Sequence, residues 1–290
     1  MFLRSTVHRA AKSVLFNTSC LPAPTLSIRV AGLVGSQSRR ITGHRIMEEK
    51  RGLSQIDDPK GIVRRKLNCH FPWGWVVYRT SYSDEEAWQK MLNYLREDVM
   101  DFLKRYKRMD LLPFHERIIM DDKAKFEGAT SHDIRDHFAT WVVDTVTPKL
   151  ITALSESEMK QLRDPYKEDP GPEWTMGARY NFCLFIDDIC LESMEHMINP
   201  VVKMLAKNFG ARRPEDRNYA VYPGWEDGET EESDEDVGWM YTWVMESVSN
   251  YDKMMETHEW YDEYRRPPGI WYSLGESDFP GHWRKCTNVK

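Results

Sequence analysis

No uninterrupted apolar run in this chain approaches the roughly 18 residues that a membrane-spanning helix needs, so a soluble mature protein with no transmembrane segment is expected. No C-x-x-C pair is present either. The five cysteines, Cys20, Cys69, Cys183, Cys190 and Cys286, are too sparse for a disulfide framework in 290 residues, and free thiols are the expectation. G-x-S-x-G, a Gly-rich phosphate loop, a dinucleotide fingerprint and H-E-x-x-H are all absent. Their absence weighs against the familiar hydrolases, nucleotide hydrolases and dehydrogenases without excluding every enzyme. Acid is missing from residues 1–41, which hold Arg4, Arg9, Lys12, Arg29, Arg39 and Arg40. Without them the body carries 34 basic against 46 acidic residues, a net of −12 where the whole chain carries −6. Such a body repels phosphate backbones, so no nucleic-acid partner is expected.

What is present begins with that leader. Arg-rich, Ser/Thr-rich and acid-free, residues 1–41 have the composition of an organellar transit peptide. Phe2, Leu3, Val7, Ala10, Ala11, Val14 and Leu15 fall largely on one helical face, with Arg4, Arg9 and Lys12 elsewhere. Ser38 to Thr42 looks like a matrix-protease site with cleavage after Ile41, so the mitochondrial matrix is the expected location. A secretory reading is weaker, because Arg9 and Lys12 interrupt any apolar core of a signal peptide. Met47 offers a later start, which would leave the protein cytoplasmic. Residues 42–70 are polar and read as a tether.

The body, 71–256, reads as an α+β domain organised around Phe71 to Tyr106. Trp75 to Arg79 is compact, β-branched and aromatic, as a buried strand should be. Ser83 and Glu86 fit an S-x-x-E capping box, and Trp88, Met91, Leu92, Leu95, Val99, Phe102, Leu103 and Tyr106 then recur at helical spacing. A short strand is expected at Arg117 to Met120, a second helix from Thr130-Ser131, and a long loop at Ser155 to Gly177. Arg179 to Ile186 is another apolar strand, followed by Asp187-Asp188 and a helix. Asn199-Pro200 resembles an N-cap with proline at the first helical position, which predicts a further helix closed at Gly210. Tyr219 to Tyr222 is a candidate strand, and 226–236 is an acidic loop with eight acids in eleven residues. Gly238 to Met255 reads as a helix, and 257–290 as an aromatic tail packed on the core. Two strand–helix units suggest helices on a small mixed or antiparallel sheet with long loops, in a ferredoxin-like arrangement.

Four constellations could carry chemistry. Asp187, Asp188 and Glu192, at the carboxyl end of a strand, are the residue types that hold a divalent cation such as Mg²⁺ through oxygen. The plainer alternative is that Asp188 caps the following helix while Asp187 and Glu192 favour its positive end. His132, Asp133, Asp136 and His137 form two i,i+4 pairs of metal-ligand type, although the apolar face through Ile134, Phe138 and Trp141 directs them outward. Cys183 and Cys190 could be a redox pair, but no neighbouring cation in sequence favours a thiolate. Trp239, Trp243, Trp260, Tyr264 and Trp271 could line an apolar pocket or partner groove, or simply pack the tail onto the helices.

GWVVYRTSYSDEEAW, NFCLFIDDICLESM and GWMYTWVMESVSNY resemble three blocks of a large group of uncharacterised filamentous-fungal proteins, over roughly residues 72–256. The resemblance implies a family but no mechanism, because that group has no assigned activity to transfer. The combined expectation is a mitochondrially targeted binding or interaction protein, without an identifiable catalytic motif, whose partner is a protein or a small molecule. The alternatives are a small-molecule enzyme with a Mg²⁺ site at Asp187, Asp188 and Glu192, and a secreted effector-like protein.

Overall fold

The computed structural model describes residues 72–146, 155–166, 177–217, 235–271 and 279–286. In chain order, β1 (Val76–Arg79) leads to α1 (Glu85–Arg105), β2 (Ile118–Met120), α2 (Lys123–Phe126) and α3 (Ser131–Val146). Then come α4 (Glu156–Arg163), α5 (Ala178–Asn181), β3 (Phe182–Ile186), α6 (Asp188–His196) and β4 (Val201–Ala206). A 3-10 turn, Pro214–Asp216, precedes β5 (Trp239–Trp243), α7 (Ser247–Lys253), α8 (Glu259–Glu263) and α9 (His282–Cys286). The strands form one mixed sheet in the order β2-β1-β3-β4-β5. β1 is parallel to both β2 and β3, whereas β3–β4 and β4–β5 are antiparallel.

Register follows from burial. Ile119, Val77, Leu184, Met204 and Met240 pair in succession to make one apolar row across all five strands. On that face α1 lays down Trp88, Met91, Leu95, Val99 and Leu103. The opposite face, with Val76, Tyr78, Cys183, Phe185, Leu205, Trp239 and Tyr241, is covered by Ile134, Phe138, Val142 and Val146 of α3. Helices on both sides explain why β1 and β3 read as continuous apolar runs instead of alternating ones. No described helix is long and apolar enough to cross a membrane.

The α+β class and the helices on a mixed sheet are as expected, but the strand order is not ferredoxin-like. Two segments with helical signals are strands, and they extend the sheet beyond β3. Val201–Ala206 follows Asn199-Pro200, a dipeptide that initiates turns as readily as helices, and its Val201-Val202 start favours extended backbone. Trp239–Trp243 alternates Trp, Tyr and Trp onto one face and Met240 and Thr242 onto the other, so its helical register was coincidental until Ser247. The cap of α1 is Asp84, which accepts the Ala87 amide at 2.9 Å, in place of the Ser83–Glu86 box. A helix, α4, lies within the stretch read as a long loop. Tyr219 to Tyr222 and most of the acidic loop lie outside the described residues, as do 1–71.

One contact ties α3 to the sheet's far end. Arg135, fully buried, donates to the Ala206 carbonyl at 3.1 Å and the Val237 carbonyl at 3.2 Å. Gly238 sits at φ +75°, and a Cβ there would run into the Arg135 guanidinium and the Phe209 carbonyl. Left-handed strain and overpacking together should make Gly238→Ala less stable by about 2–4 kcal/mol. Urea unfolding monitored by circular dichroism checks this.

Candidate functional site

In open sheets with parallel strands, ligands favour the crevice at the carboxyl ends where strand order reverses, here between β1 and β3. The chain closes that crevice with its own side chains. Thr80 donates through its amide and its hydroxyl to the Ile186 carbonyl, each at 3.0 Å. Ser81 and Ser83 both donate to Asp188 Oδ1, the latter at 3.2 Å. Arg79 donates to the Ser81 carbonyl at 2.9 Å, pairs with Glu85 at 2.7 Å, and stacks on Tyr82 and Trp88.

The three carboxylates read as a Mg²⁺ set turn to three different partners. Asp187, not Asp188, caps α6, accepting the Cys190 amide at 3.1 Å; its other oxygen accepts Lys203 Nζ at 2.5 Å. Both members of this ion pair are buried. Burial alone would raise the Asp187 pKa, but the Lys203 ammonium and the cap amide hold the carboxyl below its ordinary value. Lys203 Nζ also lies over Trp239, at 4.4 Å from the ring centre, and near Phe185 and Tyr241. Asp188 serves the two serines. Glu192 accepts Trp283 Nε1 at 2.6 Å and Arg284 Nε and Nη2 at 2.8 and 2.7 Å, which clamps α9 against α6 and lowers its pKa, chiefly through Arg284. No cluster of three His, Cys, Asp or Glu side chains suited to a metal occurs among the described residues.

The α3 quartet also separates. Asp133 accepts the Thr130 amide and hydroxyl at 2.9 and 2.6 Å while its own amide donates to the Thr130 hydroxyl, a reciprocal helix cap. His137 Nδ1 and the Tyr78 hydroxyl are 2.8 Å apart across the sheet face. His132 is buried beside Arg135, and desolvation, with that guanidinium, pushes its pKa down to about 3. Asp136 alone faces the cleft described below. Cys183 and Cys190 are free, belong to opposite faces of the sheet, and have thiol pKa values raised by burial.

The aromatic group is mostly interior. Trp239, Trp260 and Trp271 are buried, and Trp243 and Tyr264 are partly so. Their polar atoms lock the C-terminal segment: Trp260 Nε1 donates to Asp236 at 2.8 Å, Trp271 Nε1 to Glu263 at 2.6 Å, and the Tyr264 hydroxyl accepts the Val237 amide at 3.0 Å. These rings fill the core.

An open cleft of about 660 Å³ lies between α3, α4 and the 3-10 turn at Pro214. Asp136 and Thr140 come from α3, Ser157, Lys160 and Arg163 from α4, Asp164 to Tyr166 from its end, and Arg213 and Pro214 from the turn. Asp136 accepts the Tyr166 hydroxyl at 2.8 Å and Arg217 Nη2 at 3.0 and 2.9 Å, and that guanidinium also donates to the Tyr166 oxygen. Desolvation first, then Asp136, pushes the Tyr166 phenol up to about 12. Arg163 meets Asp144 at 2.7 Å on the exposed rim. Asp136 is one of the four candidate ligands on α3 visible in the sequence, and none of the cations around it is. Lys160 and Arg163, one helical turn apart, would have been the signal, yet that spacing also describes any solvated helix face. No protein family, no curated protein and no solved structure matches the chain.

Proposed function

We propose that this chain is a mitochondrially targeted binding protein without catalytic chemistry of its own, that it holds a small molecule in the cleft between α3 and α4, and that it belongs with the filamentous-fungal group its three blocks resemble. One observation carries the binding reading. The cleft's carboxylates and its phenol are engaged by neighbouring groups, while Lys160 and Arg213 keep donors for a ligand. Asp136 accepts from Arg217 and Tyr166, Asp164 accepts the Tyr166 amide at 2.9 Å, and the phenol is held protonated. The cleft's volume falls within the roughly 300–1,000 Å³ typical of small-molecule sites. The leader's acid-free basic composition supports import, with Thr42 as the first mature residue.

Two measurements test the reading. A thermal-shift panel of small molecules on the full chain should give midpoint rises, and mass spectrometry should recover each stabilising compound unchanged. A compound converted to product would replace this reading with an enzymatic one. N-terminal sequencing of protein recovered from its source should begin at Thr42, whereas a start near Cys20 would make the leader secretory.

A further inference from the structure

Resting on the cleft reading above, we infer that its ligand is a compact polyanion, a molecule with two or more clustered phosphate or carboxylate groups. The acids in the cleft wall each have a partner. Asp136 is neutralised by Arg217 at 2.9 Å and by the Tyr166 hydroxyl, and Asp164 accepts a backbone amide within its own turn. Among the described residues the lining cations keep donors to spare. Lys160 is exposed and has no ion-pair partner among the described residues. Arg213 is about half exposed (54%) and reaches Asp164 only at 4.0 Å. Arg163 spends one nitrogen on Asp144, itself 57% exposed at the rim.

The geometry suits anionic oxygens particularly. Guanidinium groups present forked donors that match the oxygens of phosphate and carboxylate, and an ammonium adds a compact point charge. The Arg213 guanidinium carbon lies over the Tyr166 ring at 5.6 Å, so it is oriented before any ligand arrives. A single charge would leave most of these donors unused, whereas two or three adjacent anionic groups could engage α4 and the Pro214 turn together. Lys160, Arg163 and Arg213 outnumber Asp136 and Asp164 in the lining, so an anion meets more positive charge here than the average of a body at −12 outside residues 1–41.

Isothermal titration of the full chain with pyrophosphate and, separately, with citrate tests this and tells phosphate from polycarboxylate chemistry. At least one should bind, more weakly as salt is raised, because partly exposed charges are screened. Lys160→Gln and Arg213→Gln should each weaken binding by about tenfold, the scale of a lost charge-assisted hydrogen bond, with far-ultraviolet circular dichroism unchanged. Asp144→Asn, which releases Arg163, should strengthen it. Binding of neither anion, or equal binding by the Lys160→Gln, Arg213→Gln double variant, overturns the inference. If neutral compounds from the thermal-shift panel bind instead, and Thr140→Trp, placed to fill the cleft, abolishes that binding, the polyanion inference falls while the cleft reading stands. If nothing of either kind binds, both fall.

Discussion

Asp187→Asn should lower the unfolding free energy by about 3–5 kcal/mol, the usual consequence of leaving one member of a buried ion pair uncompensated. The ammonium left behind is that of Lys203, 1% exposed and enclosed by Trp239, Phe185 and Tyr241. Aromatic faces attract a cation but cannot replace the carboxylate, and the α6 amide of Cys190 would keep only a weaker acceptor. The double variant Asp187→Asn, Lys203→Met should recover much of the loss, because it removes the buried charge as well as its partner. Urea unfolding of the wild type, both single variants and the double variant measures the coupling between the two sites. The pH dependence has a definite sign. A carboxyl whose folded pKa lies below its unfolded value of about 3.9 adds stability above that value. That contribution is lost as the pH falls through the folded pKa. Wild-type protein should therefore lose stability in acid below about pH 4 more steeply than Asp187→Asn does.

Trp260→Ala should be comparably damaging, at about 3–5 kcal/mol for a large aromatic removed from a packed core. Its ring lies fully buried against Phe182 and Phe209, with centroid distances of 5.6 Å to each, and it is the element by which α8 reaches the β3 strand. Truncation also leaves Asp236 without the indole donor at 2.8 Å, while burial already raises that carboxyl's pKa and the indole and the Gly238 amide oppose the rise. Trp260→Phe separates the two effects. It keeps the stacking and loses the hydrogen bond, so about 1–3 kcal/mol of the loss should remain. Guanidinium unfolding followed by circular dichroism gives both values without depending on the fluorescence of the residue replaced.

How much of this was readable beforehand depended on how local each signal was. β1, β3 and α1 are announced by their own residues: apolar runs that can only be buried on both faces, and a 3.6-residue stripe from Trp88 to Leu103. β4 and β5 were hidden because Asn199-Pro200 and the Met240–Tyr251 spacing imitate helix signals, and only pairing with β3 decides the matter. Asp187 and Asp188 are adjacent, and sequence alone could not say which would cap α6, because either carboxylate lies within reach of first-turn amides. The aromatics near the C-terminus were legible as a group, and their destination was not, since burial depends on which helices they meet. The cleft was the least visible feature. Asp136, Tyr166 and Arg217 converge from three segments far apart in the chain, and the cations beside them look, one at a time, like ordinary surface residues.

Retention of an untransformed small molecule in the cleft between α3 and α4 is the proposal on which the rest depends. Equilibrium dialysis of the full chain against a metabolite extract, read by mass spectrometry on both sides of the membrane, tests it most directly. One or a few small molecules should concentrate on the protein side and return intact. The enrichment should vanish in Thr140→Trp, whose indole is placed to fill the cleft. Enrichment that survives Thr140→Trp, or a compound that disappears as a new one forms, would contradict it.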